Sequence, residues 1–278
     1  MSAPETLDRH RLNQFPLPAH SEDSDKEDRG RLLGVAGSRE LTGAALLAGI
    51  GGLRAGAGKL QVATAASVAI ALSIAIPEAR VIGCPESEEG CLAPDSMQSL
   101  LDWTRDAQSL LIGCGLQHGP PLDAMLDALL GSGLDTPLVL DAAVLGSLAP
   151  RAEALRGWRG GAILLPHARE MARLLDCELE EVEADPLAAA RRAAQRFDAA
   201  ALVAEGATVG LATSGSGDAL AGIVGGLAAR GADPLTATLW GVYLHGEAGR
   251  ILTKEVGRIG FLARELLDRV PGLMEGEA

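Results

Sequence analysis

Short, wholly apolar runs alternate with longer stretches rich in alanine and leucine along most of the chain. The runs are as long as strands and are apolar at odd and even positions alike, which is typical of strands covered on both faces. The stretches between them are long enough to be crossover helices. Strands are predicted at residues 31–36, 59–64, 79–83, 109–114, 137–142, 162–166, 200–204 and 209–213. The pattern predicts an α/β fold with a central, mostly parallel sheet.

The predicted helices have caps or small residues at their ends, with Thr42 as the expected N-cap of the first. They are expected at residues 42–57, 66–75, 121–130, 168–175, 217–230, 234–255 and 261–270. The first thirty residues are polar and rich in charge, so we predict an arm at 1–30 and one domain at 31–278.

Composition excludes several classes of function. A net charge of −13 argues against a nucleic-acid surface, because binding a polyanion needs lysine and arginine. The four cysteines form no Cys-x-x-Cys pair and have no nearby histidine cluster, so neither a zinc site nor a disulfide framework is expected, and a reduced cytoplasmic setting is predicted. Residues 60–77 lack charge, but alanine, serine and threonine prevail there, so no membrane helix is predicted.

The most informative segment is ATSGSGDALAGIVGGLAARG at residues 212–231. A glycine-rich turn opens a helix there, and the first turn of a helix exposes N–H groups that bind anions. Gly215 and Gly217 would let the backbone approach a ligand, Ser216 adds a hydroxyl, and Asp218 enters the first turn. Ordinary capping of the helix by Ser216 or Asp218 is the alternative interpretation.

An aspartate beside an anion site can take the proton of a hydroxyl group while that oxygen attacks a phosphoryl group. The neighbouring amides would stabilise the developing negative charge. Asp218 is therefore the candidate general base.

Two further segments, at residues 34–64 and 110–119, have glycines at the carboxyl end of a predicted strand. Ligands bind at the carboxyl ends of strands in open α/β sheets. Close packing of a helix on the sheet is the alternative for the first segment, and a turn without a ligand is the alternative for the second.

Together with PLVLDAAVL (137–145), ILLPHAREMARLL (163–175) and GVYLHGEAG (241–249), these segments resemble the NAD(P)H-hydrate dehydratase family in order and spacing. The resemblance covers residues 25–271. It implies a three-layer α/β/α ribokinase-like fold, related to carbohydrate kinases. It also implies an ADP- or ATP-dependent lyase that phosphorylates the hydroxyl of hydrated NADH or NADPH and then eliminates phosphate, with Mg²⁺ accompanying the nucleotide.

The resemblance also implies the residues of the site. Hydrate binding falls to Ala44, Gly115, His167 and Asp218, with Asp218 also catalytic. Contacts with the nucleotide fall to Glu205, Gly206, Ala207, Thr208, Gly215, Ser216 and Gly217.

Three conspicuous side chains also have structural interpretations. A histidine at a strand end, such as His167, is often only a satisfied structural side chain. His245 is expected in the core or at an interface, and Cys114 as a small buried filler.

Departures from the family pattern keep two alternatives open. Glu205 stands where the family has lysine, Ala143 where it commonly has a second aspartate, and the segment before the GSGD turn is short. A carboxylate at position 205 would repel phosphate. The alternatives are a weakened ligand-binding relative and a small-molecule kinase of the same fold.

The resemblance further implies partners. A homo-oligomer is expected, with a tetramer as one candidate, and a separate chain would supply the NAD(P)H-hydrate epimerase that is fused to this domain in some relatives. The choice between ADP and ATP is left open, although single-domain members usually use ADP.

Overall fold

The computed structural model describes residues 7–21, 23–93, 96–199, 202–203 and 208–276. Six strands form one sheet in the order β3-β2-β1-β4-β5-β6, and all neighbouring strands run parallel. The strands are β1 (Arg31–Val35), β2 (Lys59–Ala65), β3 (Ala79–Cys84), β4 (Ser109–Ile112), β5 (Leu138–Leu140) and β6 (Ala162–Leu164). The chain builds outward from β1 to β3 and then returns to place β4 on the other side of β1. This reversal creates a crevice between β1 and β4, where open α/β sheets bind ligands.

Helices cover both faces of the sheet. They are α1 (Arg9–Leu12), α2 (Thr42–Arg54), α3 (Ala66–Ala75), α4 (Ser96–Thr104), α5 (Pro120–Leu130), α6 (Ala152–Arg156), α7 (Ala168–Leu175), α8 (Leu179–Ala184), α9 (Pro186–Phe197), α10 (Ser216–Ala229), α11 (Pro234–Glu255), α12 (Ala263–Leu267) and α13 (Val270–Glu275). Short 3-10 helices occupy Ala142–Ser147, Ala149–Arg151 and Val209–Leu211.

Two apolar cores, one on each side of the sheet, explain the uniformly apolar strands. Leu32 and Leu111 pack with α2, α10 and α11 on one side, whereas Leu33 and Leu110 pack with α5 and α9 on the other. Successive side chains of a strand point to opposite faces, so a strand between two cores must be apolar at every position. The predicted three-layer architecture is confirmed, and the sheet is entirely parallel.

Three predictions about the later part of the chain need correction or comment. Residues 209–213 form no strand, because Val209–Leu211 is a 3-10 helix with Gly210 packed under Phe261. The strand predicted at 200–204 lies largely outside the described residues. The helix predicted at 261–270 is two helices, α12 and α13, because Pro271 in the first turn of α13 starts a new helix.

The segment before β1 contacts the domain. Leu12 is fully buried, the Trp240 indole N–H donates to the carbonyl of Phe15 at 2.7 Å, and Arg9 lies over the Trp240 ring. Residues 25–29, in contrast, are mostly exposed. The division of the chain at residue 30 stays a prediction. Within the described residues, no helix combines the length and apolar character needed to cross a membrane.

Helices α2 and α10 approach each other unusually closely. A Cβ atom on Gly222 would lie 2.1 Å from the carbonyl oxygen of Ala48, and one on Gly226 would lie 2.3 Å from that of Gly52. Only glycine allows this contact, which sets the height of α10 above the sheet.

We expect Gly222→Ala to lower the free energy of unfolding by about 1–3 kcal/mol, because the methyl group would push the two helices apart. Gly246→Ala on α11 is the matched control, since a Cβ there meets no atom within 4 Å. It should leave stability unchanged or raise it by about 0.5–1 kcal/mol. Chemical denaturation measures both variants, and equal stabilities would contradict the packing account.

Candidate active site

The crevice between β1 and β4 is bordered by the loops that follow these strands. The N–H of Gly37, after β1, donates to the carbonyl of Cys114, after β4, at 2.8 Å. Gly115 has a positive φ of 68°, and a Cβ atom on it would lie 2.5 Å from the carbonyl oxygen of Leu41 and 2.8 Å from the Cβ atom of Ala44. The fold therefore brings together Ala44 and Gly115, two of the predicted substrate residues.

Asp218 enters the same region from the first turn of α10. The N-cap of this helix is Gly215, with φ of 87° and no side-chain capping hydrogen bond, so neither Ser216 nor Asp218 is used as a cap. Asp218 is half-buried in the crevice. The positive end of the helix lies beside it and favours a negative charge at this position.

Cys114 joins Asp218 to a second carboxylate, Asp141, which follows β5. The Cys114 thiol donates to Asp141 Oδ2 at 3.6 Å. The sulfur atom and one carboxylate oxygen from each aspartate lie within 4.8 Å of one another. Cys114 is fully buried and Asp141 is 6% exposed. The cysteine therefore contacts both acids and is more than a filler.

Burial decides which of these groups carries charge. It raises the pKa of Asp141 from 3.8 to about 7, with help from the negative charges of Glu170 and Asp218. Burial also raises the pKa of the Cys114 thiol well above its ordinary value, so this thiol stays protonated. Burial also raises the pKa of Asp218, but Asp218 is less deeply buried than Asp141. Asp218 is therefore the better placed of the two carboxylates to act as a base at neutral pH.

His167 begins α7 and caps it. Its Nδ1 accepts from the N–H of Arg169 at 3.1 Å, and Glu170 accepts from the N–H of His167 at 3.0 Å. The side chain is 63% exposed, with Nε2 3.3 Å from Glu170 Oε1. The structural interpretation of His167 is thus realised, and its proposed contact with substrate stays a prediction. The influence of Glu170 on the pKa of Asp141 and Asp218 shows that this helix end borders the site.

Part of the predicted nucleotide site lies in the described residues. Gly215 and Ser216 are packed, whereas Gly217 is exposed and a Cβ atom on it would meet no atom within 4 Å. Thr208 has a buried hydroxyl without a partner in the part of the chain that the structure describes. Glu205, Gly206 and Ala207 lie outside the described residues.

His245 contacts the glycine-rich turn through Ser216. Its Nε2 lies 2.9 Å from the hydroxyl of Ser216. Burial lowers the pKa of His245 to about 4, so the imidazole is neutral at pH 7. Sequence reasoning assigned His245 to the core or an interface and passed over Asp141 altogether, although Asp141 follows a strand on the edge where the other candidate residues lie.

Comparisons with known proteins agree with this geometry. The model of a family described as NAD(P)H-hydrate dehydratase matches residues 32–209 and 200–272. An ADP-dependent (S)-NAD(P)H-hydrate dehydratase of Xanthomonas campestris pv. campestris is 44% identical over 95% of this chain and 94% of its own length. A bifunctional NAD(P)H-hydrate repair enzyme of Moorella thermoacetica is 35% identical, and the chain spans 51% of its length.

A solved structure shows the same architecture. An ADP/ATP-dependent NAD(P)H-hydrate dehydratase from Bacillus subtilis, co-crystallized with ATP and Mg²⁺, superposes with a TM-score of 0.81 at 27% identity. The match covers 97% of each chain. The likeness therefore extends over almost the whole of both chains.

The raised pKa of Asp141 predicts a pH dependence of stability. A carboxyl group whose pKa is higher in the folded state stabilises the fold below its unfolded pKa, and this contribution is lost as the pH rises through the folded pKa. Asp141 should therefore destabilise the fold progressively between about pH 4 and pH 7.

Asp141→Asn should remove this pH dependence. The free energy of unfolding of the variant, relative to that of the wild type, should therefore rise by roughly 2–4 kcal/mol between about pH 4 and pH 7. Denaturation at a series of pH values measures the effect. Asp102→Asn, an exposed aspartate on α4, is the control. Parallel curves for the wild type and Asp141→Asn would show that Asp141 titrates normally.

Proposed function

This chain belongs to the NAD(P)H-hydrate dehydratase family, and on that premise we propose that the site around Asp218 repairs hydrated NADH and NADPH with ADP or ATP as co-substrate. The observation that carries the proposal is the half-buried Asp218 carboxylate at the start of α10, facing the crevice that Ala44 and Gly115 border. The relatives are dehydratases and repair enzymes, which supports dehydration over release of a phosphorylated alcohol. These relatives do not support the alternative that this chain is a catalytically weakened protein that only binds a ligand.

In the first proposed step, the hydroxyl group of the hydrated nicotinamide ring attacks the terminal phosphoryl group of the nucleotide. Asp218 accepts the hydroxyl proton, a new phosphorus–oxygen bond forms, and the bond to the shortened nucleotide breaks. The N–H groups of the first turn of α10 lack intrahelical partners and can stabilise the phosphoryl oxygens. Gly217 leaves the space through which a phosphate can approach them.

In the second step, phosphate leaves the ring carbon with the electron pair of the carbon–oxygen bond. The adjacent ring carbon gives up a proton to water, and the electron pair of that carbon–hydrogen bond restores the double bond of the reduced nicotinamide. ATP would thus yield ADP and phosphate, and ADP would yield AMP and phosphate. Hydroxide is a poor leaving group, whereas phosphate is a good one. The nucleotide is consumed because it supplies the phosphoryl group.

Magnesium is proposed to enter with the nucleotide. It prefers oxygen ligands, usually phosphates with one or two carboxylates. The candidate donors among the described residues are Asp141, Asp218 and Cys114. A thiol does not suit magnesium, and a carboxyl group with a pKa of about 7 is only partly ionised at neutral pH. This set does not fit a resident magnesium site, so no step above passes through a protein-bound ion.

The remaining expectations stay proposals. Ile70 and Ile74 are each 75% exposed on α3, which supports the proposed homo-oligomer, since exposed apolar patches mark interfaces. Ile70→Glu combined with Ile74→Glu should lower the mass measured by light scattering, and a monomeric wild type would contradict the proposal. A cytoplasmic location is proposed from the cysteine pattern, and a separate epimerase chain from the resemblance.

The stoichiometry of the reaction tests the proposed function. With NADH hydrate, Mg²⁺ and either ADP or ATP, we expect one phosphate released for each NADH recovered, measured by phosphate assay and NADH absorbance. The nucleotide that supports recovery identifies the co-substrate. A stable phosphorylated dinucleotide would instead indicate a kinase, and dinucleotide binding with no turnover of either nucleotide would indicate a weakened relative.

A further inference from the structure

His245 on α11 makes a contact that none of the proposed steps uses. Its Nε2 atom lies 2.9 Å from the hydroxyl oxygen of Ser216, the first residue of α10. Ser216 is 5% exposed and directly precedes Gly217 and Asp218, the residues assigned above to the phosphate and to the base. A side chain from the middle of one helix therefore holds the start of another helix, next to the proposed general base.

The packing of α11 against α10 brings these two residues together. A Cβ atom on Gly241 would lie 2.4 Å from Cγ2 of Val224, so glycine at this position allows the two helices to approach closely. His245 lies about one turn after Gly241, and Ser216 lies about two turns before Val224. The two helices thus run antiparallel, and the close approach at Gly241 brings His245 within hydrogen-bond distance of Ser216.

The start of α10 is open to a ligand. Its N-cap, Gly215, makes no side-chain capping hydrogen bond. The N–H groups of Gly217 and Asp218 have no acceptor within the helix, which leaves them free for a phosphoryl oxygen. A serine hydroxyl near the start of a helix can itself bond such N–H groups. Because the hydroxyl of Ser216 is paired with His245, it does not compete with the phosphoryl group for these donors.

The neutral state of His245 distinguishes it from a charged phosphate ligand. Burial lowers the pKa of His245 to about 4, so this imidazole brings no positive charge to the phosphoryl group at neutral pH. A neutral imidazole and a hydroxyl each contain a donor and an acceptor, so the bond forms with either tautomer. The contact can therefore affect the reaction through position rather than through charge.

We propose that His245 is a positioning residue for phosphoryl transfer. Its hydrogen bond to Ser216 holds the start of α10, so that the N–H groups of Gly217 and Asp218 and the Asp218 carboxylate stay aligned on the transferred phosphoryl group. This inference rests on the proposed function and adds a residue of α11 to the site. Alignment of this kind acts on the rate, since the donors must fit the charge that develops in the transition state.

Two substitutions of His245 test the proposal. His245→Leu fills a similar volume without the hydrogen bond, and we expect it to lower kcat for repair of NADH hydrate by roughly 10- to 100-fold, because small misplacements of reacting groups are costly. His245→Gln offers an amide group to Ser216 and should restore kcat to within about threefold of the wild type. The KM for NADH hydrate should change less than about twofold in both variants, since the contact between Ala44 and Gly115 is untouched.

Ser216→Ala removes the other half of the contact. It should lower kcat by roughly 3- to 30-fold, no more than His245→Leu does, because no free hydroxyl remains to bond the N–H groups of the turn. The double variant should be no slower than His245→Leu alone, because both changes break the same hydrogen bond.

Trp240→Phe is the matched control on the same helix. It removes one hydrogen bond of α11, the 2.7 Å bond from the indole N–H to the carbonyl of Phe15, which lies in the segment before β1 instead of the glycine-rich turn. This variant should have a lower denaturation midpoint than the wild type and an unchanged kcat. It thus measures what a loss of stability in α11 does on its own.

The outcomes separate this inference from the proposed function. A folded His245→Leu variant with the kcat of the wild type, or losses that add in the double variant, would overturn the role of His245 while leaving the repair activity in place. An equal fall in kcat for Trp240→Phe would do the same. Absence of repair by the wild type would overturn the proposed function and this inference with it. If His245→Leu does not fold, Ser216→Ala decides the question, and an unchanged kcat in that variant would contradict the proposal.

Discussion

The close contact between α2 and α10 is the constraint on which the site depends. Gly222 and Gly226 lie against the backbone carbonyls of Ala48 and Gly52, at distances that no other residue allows. This contact lowers the start of α10 onto the crevice where the strand order reverses between β1 and β4. Asp218 consequently reaches Cys114, while Ala44 at the start of α2 meets Gly115 from the other side. The packing of two helices on one face of the sheet thus fixes the positions of the site residues at the carboxyl ends of the strands.

Asp141, Asp218 and Cys114 lie close together but differ in burial, so their pKa values differ. Asp141 is the more deeply buried acid, so its pKa rises to about 7, whereas Asp218 lies at the positive end of a helix and is less enclosed. The Cys114 thiol stays protonated and donates to Asp141, so it adds no negative charge to the cluster. The environment therefore leaves the negative charge on the residue that faces the crevice.

The sheet and its helices could be predicted because a strand between two cores is apolar at every position, as in residues 32–35 and 109–112. The apolar run at 209–213 misled the same reasoning, because Val209–Leu211 is a short 3-10 helix in which Gly210 packs against Phe261, and it does not pair in the sheet. A short apolar run alone does not distinguish these cases.

The site was only partly predictable. Strand ends and the glycine-rich turn indicated Gly115 and Asp218, and the family resemblance added Ala44. Asp141 was missed because its partner Cys114 is 27 residues away in sequence and Asp218 is further still, so only the fold brings them together. The contact between His245 and Ser216 spans 29 residues and was missed for the same reason.

Recovery of NADH from its hydrate by the wild type and by Asp218→Asn, with nucleotide and Mg²⁺, tests the central claim most directly. Asparagine keeps the shape of the side chain and removes the base, so the account predicts a fall in kcat of about 10²- to 10⁴-fold in a variant that still folds and binds substrate. Undiminished turnover by Asp218→Asn would contradict the account and move the general base to another residue.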